Sequence, residues 1–205
     1  MASLIPTQNE IMTLLTKSGA YRHGHFVYPS GKHAAHYFQM PLAFRQYDTA
    51  RVLAVALSRI FRVEREISSR LPKVSVISPS PGGIPVAFGV REALSASQIY
   101  WAEIENGERT FRQYVKEGEI FPCILVDDII RSGKAIAETV ELVKELGGEV
   151  IGCGAIVRFQ DAPKEISGLP IKSLVEFDCD FYDSLEQMKS AENIESEMLE
   201  EKVRF

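Results

Sequence analysis

Two adjacent carboxylates, Asp127 and Asp128, close the apolar run Cys123-Ile124-Leu125-Val126 and are followed by Ile129-Ile130-Arg131-Ser132-Gly133-Lys134-Ala135. The order reads as a buried strand, an acid pair at its carboxyl end, a short loop and a helix. Parallel α/β sheets bind ligands at that edge. Carboxylates there accept hydrogen bonds from sugar hydroxyls. The N–H groups of a helix start, with Arg131 and Lys134 beside them, suit a phosphate. One compact element can thus grip a sugar phosphate from both ends. The plainer alternative is capping, since strand-end carboxylates also make good N-caps.

A second segment, Ser78-Pro79-Ser80-Pro81-Gly82-Gly83-Ile84-Pro85, again lies between a strand and a helix. Its glycines let backbone N–H groups approach an anion closely. Alone it is as good a rigid turn; its place one strand–helix unit before the acid pair favours a ligand. No Gly-x-x-x-x-Gly-Lys-Ser/Thr segment occurs, which argues against a P-loop nucleotidase. Gly152-Cys153-Gly154 sits inside a strand without a third glycine, so packing explains it better than dinucleotide binding. His23 and His25 lie two apart and His33 and His36 three apart, but no cysteine or acid cluster joins them and a zinc site is disfavoured. Cys123 and Cys153 fall in apolar strands and read as small core residues.

The elements that must position these segments alternate along the chain. Thr7-Gln8-Asn9-Glu10 has the form of a capping box ahead of Ile11, Leu14 and Leu15, predicting a helix from about residue 7 to Lys17, stopped by Gly19. His25 to Tyr28 and His36 to Gln39 predict short strands around the turn Pro29-Ser30-Gly31. Asp48 can cap a long helix with Ala50, Leu53, Ala54, Leu57, Ile60 and Phe61 on one stripe. Val74 to Ile77 reads as a strand, Ile84 to Leu94 as a helix, and Gln98 to Ala102 and Thr110 to Val115 as strands around an Asn106-Gly107 hairpin signal. Cys123 to Val126 is a strand, Ile136 to Leu146 a helix closed by Gly147-Gly148, and Val150 to Val157 and Ile171 to Val175 two more strands. The fold class expected is α/β, a parallel sheet flanked by helices, with an N-terminal appendage of roughly 40 residues on one core domain.

Composition agrees with that class and narrows the function. The 205 residues are 45% hydrophobic with a net charge of −5, an ordinary globular chain. The acidic balance argues against nucleic acid or an anionic membrane as partner. No apolar run reaches the roughly 18–20 residues of a bilayer crossing, and the N-terminus lacks the pattern of a signal peptide. Three cysteines without a CxxC predict free thiols in a reducing cytosol. Residues Asp183 to Phe205 carry seven acids and three bases, an acidic tail that is either a solvated helix or loose chain.

The segment from Cys123 to Ala135 resembles the PRPP-binding motif of the type I phosphoribosyltransferases, with one departure, Arg131, where Thr or another small residue is usual. Gly24-His25-Phe26, Ser30-Gly31-Lys32-His33 and Tyr37-Phe38-Gln39 look like the G-H-F-x-x-x-S-G-x-H-S-x-x-Y-x-Q segment of orotate phosphoribosyltransferases, whose hood covers the base. The three motifs occur in that family's order across roughly residues 15 to 160, and the chain is identified as a member or a close paralogue.

The resemblance implies a type I phosphoribosyltransferase-like core with a small hood, formed mainly by about residues 1–40, within a single domain spanning 1–205. It implies transfer of the 5-phosphoribosyl group from PRPP to orotate, giving orotidine 5′-monophosphate and pyrophosphate, or to another nucleobase. Asp127 and Asp128 would hold the ribose 2′- and 3′-hydroxyls. Arg131, Ser132, Gly133, Lys134 and Ala135 would bind the 5′-phosphate, and Ser80, Gly82 and Gly83 the pyrophosphate. Lys32, Tyr37, Phe38 and Arg158 are the implied base contacts. Mg²⁺ would come with PRPP, held by substrate and water rather than by a protein cage.

The family's mobile basic loop, shared across a homodimer, corresponds to Trp101 through Tyr114. Arg112 matches the E-R-E-x-G-x-x-x-L-R-R form and Arg109 is a possible substitute, whereas Ile104, Glu108 and Gln113 replace expected basic residues. Those losses leave open a PRPP- or nucleotide-binding regulator without catalysis. The implied location is cytoplasmic.

Overall fold

The computed structural model describes residues 5–192 and the backbone of 200–202. In chain order the elements are α1 (Gln8–Lys17), β1 (Tyr21–Val27), β2 (His33–Phe38), α2 (Pro41–Phe44), α3 (Tyr47–Arg62), α4 (Arg65–Ser68), β3 (Ser75–Ser78), α5 (Ile84–Leu94), β4 (Gln98–Glu105) and β5 (Glu108–Phe111). There follow β6 (Cys123–Ile130), α6 (Lys134–Glu145), β7 (Val150–Phe159), β8 (Glu165–Ile166), β9 (Leu169–Phe177), α7 (Leu185–Ala191) and β10 (Glu200–Lys202).

The large sheet has seven strands in the order β5-β4-β3-β6-β7-β9-β8. Its five inner strands run parallel, as the alternating pattern predicts, while the edge strands β5 and β8 are antiparallel. One apolar layer joins α3 and α5 to one face of this sheet, with Leu53, Leu57, Phe61, Val86 and Val90 all buried. A second layer packs Ile136, Val140 and Val143 of α6 against the other face, with Leu125 and Cys153. On the first face Gly154 lets α3 pack closely: a Cβ there would lie 2.8 Å from the Lys172 carbonyl and 2.9 Å from the Phe61 ring. The Gly152–Gly154 pattern is therefore a packing feature of β7.

The hood is a separate three-stranded sheet, β10-β1-β2. Its lead-in helix α1 carries the expected capping box: Thr7 Oγ1 accepts from the Glu10 N–H, and the Glu10 carboxylate accepts from the Thr7 N–H at 2.7 Å. The hood also draws on the far end of the chain, for β10 pairs in parallel with β1 and Tyr182 bridges to His33. Part of the acidic tail is the helix α7, capped by Ser184, and the rest of 193–205, apart from the backbone of β10, lies outside the described residues.

Several boundaries differ from the sequence reading for identifiable reasons. β6 does not stop at Val126 but runs through the acid pair to Ile130, because β-branched Ile129 and Ile130 keep pairing with Val157 and Arg158 of β7. α3 begins at Tyr47 with Gln46 as N-cap, so Asp48 lies in the first turn, where its charge favours the helix dipole rather than capping it. β4 and β5 reach the turn itself, Asn106 and Gly107 both having positive φ, the backbone of a tight type I′ hairpin.

Candidate active site

The sheet order reverses between β3 and β6: from β3 the chain winds outward to β4, and from β6 the other way to β7. Such a switch point leaves a crevice at the carboxyl ends of the strands. Both loops singled out from the sequence emerge there, Pro79 to Gly83 after β3 and Arg131 to Gly133 after β6.

The two loops meet through side chains. Ser80 Oγ donates to Asp127 Oδ1 at 2.7 Å and also accepts from the Gly83 N–H at 3.3 Å. The glycines are set by close approach. A Cβ on Gly82 would sit 2.9 Å from both carboxylate oxygens of Asp128, and one on Gly83 would overlap Asp127 Oδ1 and the Ser78 hydroxyl.

Asp127 is 3% exposed, and burial first, then the neighbouring Asp128 charge, push its carboxyl well above the usual carboxylate range. Burial also raises Asp128, against a hydrogen bond from the Ile129 N–H at 2.8 Å. The pair therefore holds its protons more tightly than free carboxyls do, and sugar hydroxyls or a cation would favour its ionised form.

Beside the acid pair opens a cavity of about 590 Å³. Its walls are Asp128, Ile129 and Arg131 from the β6 end, Pro81 and Gly82 from the β3 loop, Phe159 from β7, and Tyr28, Tyr37, Phe38, Gln39, Met40 and Pro41 from the hood side. A smaller pocket of about 200 Å³ is lined by Ser80, Asp127 and the run Ile129 to Ile136 at the start of α6. Gly133 is the α6 N-cap with φ +74°, where a Cβ would be strained and would also meet Pro163 at 2.9 Å. Gly133 offers no side chain to cap α6; the Lys134 N–H donates weakly to Ser132 Oγ at 3.4 Å, and the next N–H groups of the first turn face a ligand or water.

The structure thus brings together Ser80, Gly82, Gly83, Asp127, Asp128, Arg131 to Ala135, Tyr37 and Phe38. Other residues singled out from the sequence sit elsewhere. Lys32 is ion-paired with Asp183 and is not a wall of the cavity. Arg158 is 1% exposed and turned into the protein, donating to Glu176 Oε1 at 2.7 Å and to the Ala162 carbonyl at 2.9 Å.

In the β4–β5 hairpin, Arg112 pairs with Glu103 at 3.0 Å on the surface. Arg109 donates to Glu138 of α6 at 2.9 Å and to the Pro79 carbonyl, so it fastens the hairpin to the loop after β3. Sequence reasoning missed Tyr28 and Phe159 as cavity walls. Tyr28 lies between the quoted pieces of the hood segment, and its aromatic type beside Pro29 is the available signal. Among the described residues no cluster of three His, Cys, Asp or Glu side chains forms a metal site, and no helix is long and apolar enough to cross a membrane.

This sheet, with an acid pair and two anion-sized loops at its switch point under an aromatic hood, has the architecture of a type I phosphoribosyltransferase. Among solved structures it matches orotate phosphoribosyltransferase from Aeropyrum pernix with a TM-score of 0.66 at 20% identity, covering 89% of this chain and 98% of that one. Adenine phosphoribosyltransferase from Leishmania tarentolae matches at 0.56 and 16% identity, covering 81% and 87%. No protein-family model matches the chain. In sequence it is 32% identical over 178 residues to orotate phosphoribosyltransferase of Desulforamulus reducens, covering 86% of this chain and 87% of that one. To that of Thermotoga maritima it is 31% identical over 175 residues, covering 84% and 88%. The chain belongs to the orotate phosphoribosyltransferase family.

Proposed function

We propose that the chain transfers the 5-phosphoribosyl group of PRPP to orotate, releasing pyrophosphate and forming orotidine 5′-monophosphate for pyrimidine synthesis. The observation that carries this is the Ser80–Asp127 contact, which sets an acid pair and two phosphate-sized loops against one aromatic cavity. In the reaction the base nitrogen bonds to ribose C1 as the C1–oxygen bond to pyrophosphate breaks. Positive charge grows on the ring and negative charge on the leaving group.

Each part has a task in that displacement. Asp127 and Asp128 accept from the ribose 2′- and 3′-hydroxyls, and their negative charge favours the developing cation. The backbone from Arg131 to Ala135, at the start of α6, takes the 5′-phosphate. Ser80, Gly82 and Gly83 receive the pyrophosphate, the glycines permitting backbone contact. Tyr37 and Phe38 border the cavity that takes the base. Asp127 and Asp128, beside the loops that would take the phosphates, would suit Mg²⁺ carried in on PRPP, which would supply positive charge against the leaving group.

Orotate-dependent release of pyrophosphate from PRPP and Mg²⁺ tests this, with Asp127→Asn/Asp128→Asn expected to abolish it. No release across pH and Mg²⁺ concentrations would contradict it.

A second reading has a specific observation behind it. Both hairpin arginines are engaged by Glu138 and Glu103, and Ile104 is exposed where a cation is expected. A regulator that binds PRPP or a nucleotide without turnover fits those facts, and shows itself as tight binding with no product. A homodimer fits the exposed Phe88 packed against Trp101 and the exposed Val52 and Tyr47 on α3; sedimentation at a single species of monomer mass would remove it. Three buried free thiols fit a cytoplasmic location.

A further inference from the structure

Arg131 belongs to the phosphate loop by position, but its side chain leaves that loop. The guanidinium carbon lies 4.1 Å from the ring centre of Phe181 and 4.9 Å from that of Tyr28. Tyr28 is a wall of the 590 Å³ cavity, and neither ring borders the pocket at the start of α6. The backbone of Arg131 therefore stays with the phosphate loop while its charge sits on the base side.

We propose that Arg131 is the specificity residue of this cavity, reading a carboxylate carried on the acceptor base; this rests on the phosphoribosyltransferase reading of the site. Among the described residues it is the one cation bordering the cavity, and no carboxylate neutralises it. The two other cations considered for the base, Lys32 and Arg158, are committed to Asp183 and Glu176. A guanidinium stacked on aromatic faces keeps its N–H edge free, and that edge matches a planar carboxylate with two parallel hydrogen bonds. The rings also fix the side chain in advance, so little rotamer freedom is lost when the base arrives. Asp128 also borders the cavity, and its charge disfavours a carboxylate placed beside it. The substrate class is a flat heterocycle, seated in the cavity that Tyr37 and Phe38 border, with one anionic substituent directed at Arg131.

Calorimetric titration of the full chain with orotidine 5′-monophosphate, UMP and PRPP separates the roles, because UMP is the same nucleotide without the carboxylate. Wild type is expected to favour orotidine 5′-monophosphate over UMP. Arg131→Gln is expected to shrink that preference by roughly 10-fold to 100-fold while UMP and PRPP binding change by less than about 3-fold. Arg131→Lys, which keeps charge but not the fork, should recover part of it. Retained UMP and PRPP binding shows that the variants are folded. A preference that survives Arg131→Gln overturns the assignment of Arg131 alone, as does an equal loss for all three ligands, which marks a phosphate contact. A wild-type chain that binds PRPP but shows no preference overturns the orotate reading together with this one.

Discussion

Ser80 Oγ donates to Asp127 Oδ1 at 2.7 Å, and through that bond the loop after β3 is tied to the acid pair at the end of β6. The two loops are thereby fixed relative to one another. Ser80→Ala removes a hydrogen bond to a buried carboxyl, which is expected to cost about 1–3 kcal/mol of stability and to raise the KM for PRPP more than that for orotate. Chemical melts and initial rates with each substrate varied in turn check this.

The pH dependence of stability follows from Asp127. Burial and Asp128 raise its folded pKa above the unfolded value of about 3.9, so the native state holds this proton more tightly than the unfolded chain. Its contribution is full below about pH 4 and is lost as pH rises through the raised folded value. Asp127→Asn, neutral throughout, does not share that loss. Thermal melts should show the variant gaining on wild type from about pH 4 toward neutral, although its turnover falls roughly 100-fold or more. PRPP binding, which draws on the ionised pair, should tighten over the same rise in pH.

Gly82 and Gly83 are expected to differ in their tolerance of a methyl group. The Gly83→Ala methyl meets the Asp127 carboxyl, the Ser78 hydroxyl and the Asp127 backbone, none of which can retreat, so it should cost about 1–3 kcal/mol. At Gly82 the obstacle is the half-buried end of Asp128, which can turn aside. Gly82→Ala should therefore fold nearly as well as wild type but lose affinity for PRPP. Denaturant melts alongside PRPP titrations distinguish the two.

Arg109 holds the β4–β5 hairpin to Glu138 and to the Pro79 carbonyl, and its hydrogen bond keeps the Glu138 carboxyl below the usual carboxylate range. Arg109→Ala should cost about 1 kcal/mol or less in stability, as partly exposed pairs do, yet raise the KM for PRPP by loosening the loop after β3. Glu138→Gln, which leaves Arg109 in place, should reproduce the small stability loss with a weaker kinetic effect.

The three cysteines should be silent toward alkylation in the native protein. All are buried, and burial pushes the Cys153 and Cys179 thiols up to about 12 and Cys123 higher still. Iodoacetamide at pH 8 should label none on the timescale that labels all three in denaturant, as intact-mass analysis would show.

Much of this site was legible because its parts are contiguous in sequence. The acid pair, the Pro-Gly-Gly loop and the hood segment each sit within one short run, and strand–helix alternation places the first two at one sheet edge. What spacing does not encode is where a long side chain goes. Arg131 and Arg158 were read from their positions near the ligand, but one turns to Tyr28 and Phe181 and the other to Glu176. Those partners come from distant parts of the chain. Nor does local pattern reveal β10 completing the hood, since a three-residue strand formed by pairing with β1 has no periodicity of its own. The acid pair's inclusion in β6 was missed for a related reason: carboxylates are poor strand formers, and pairing with β7 overrides that preference.

The most direct test mixes the purified chain with orotate, PRPP and Mg²⁺ and follows orotate absorbance. A steady fall that requires all three, and that disappears in Asp127→Asn/Asp128→Asn, is the predicted result. An unchanged absorbance at every pH and Mg²⁺ concentration, with PRPP bound to the wild-type chain in calorimetry, would contradict the proposed transfer and leave a PRPP-binding protein without this chemistry.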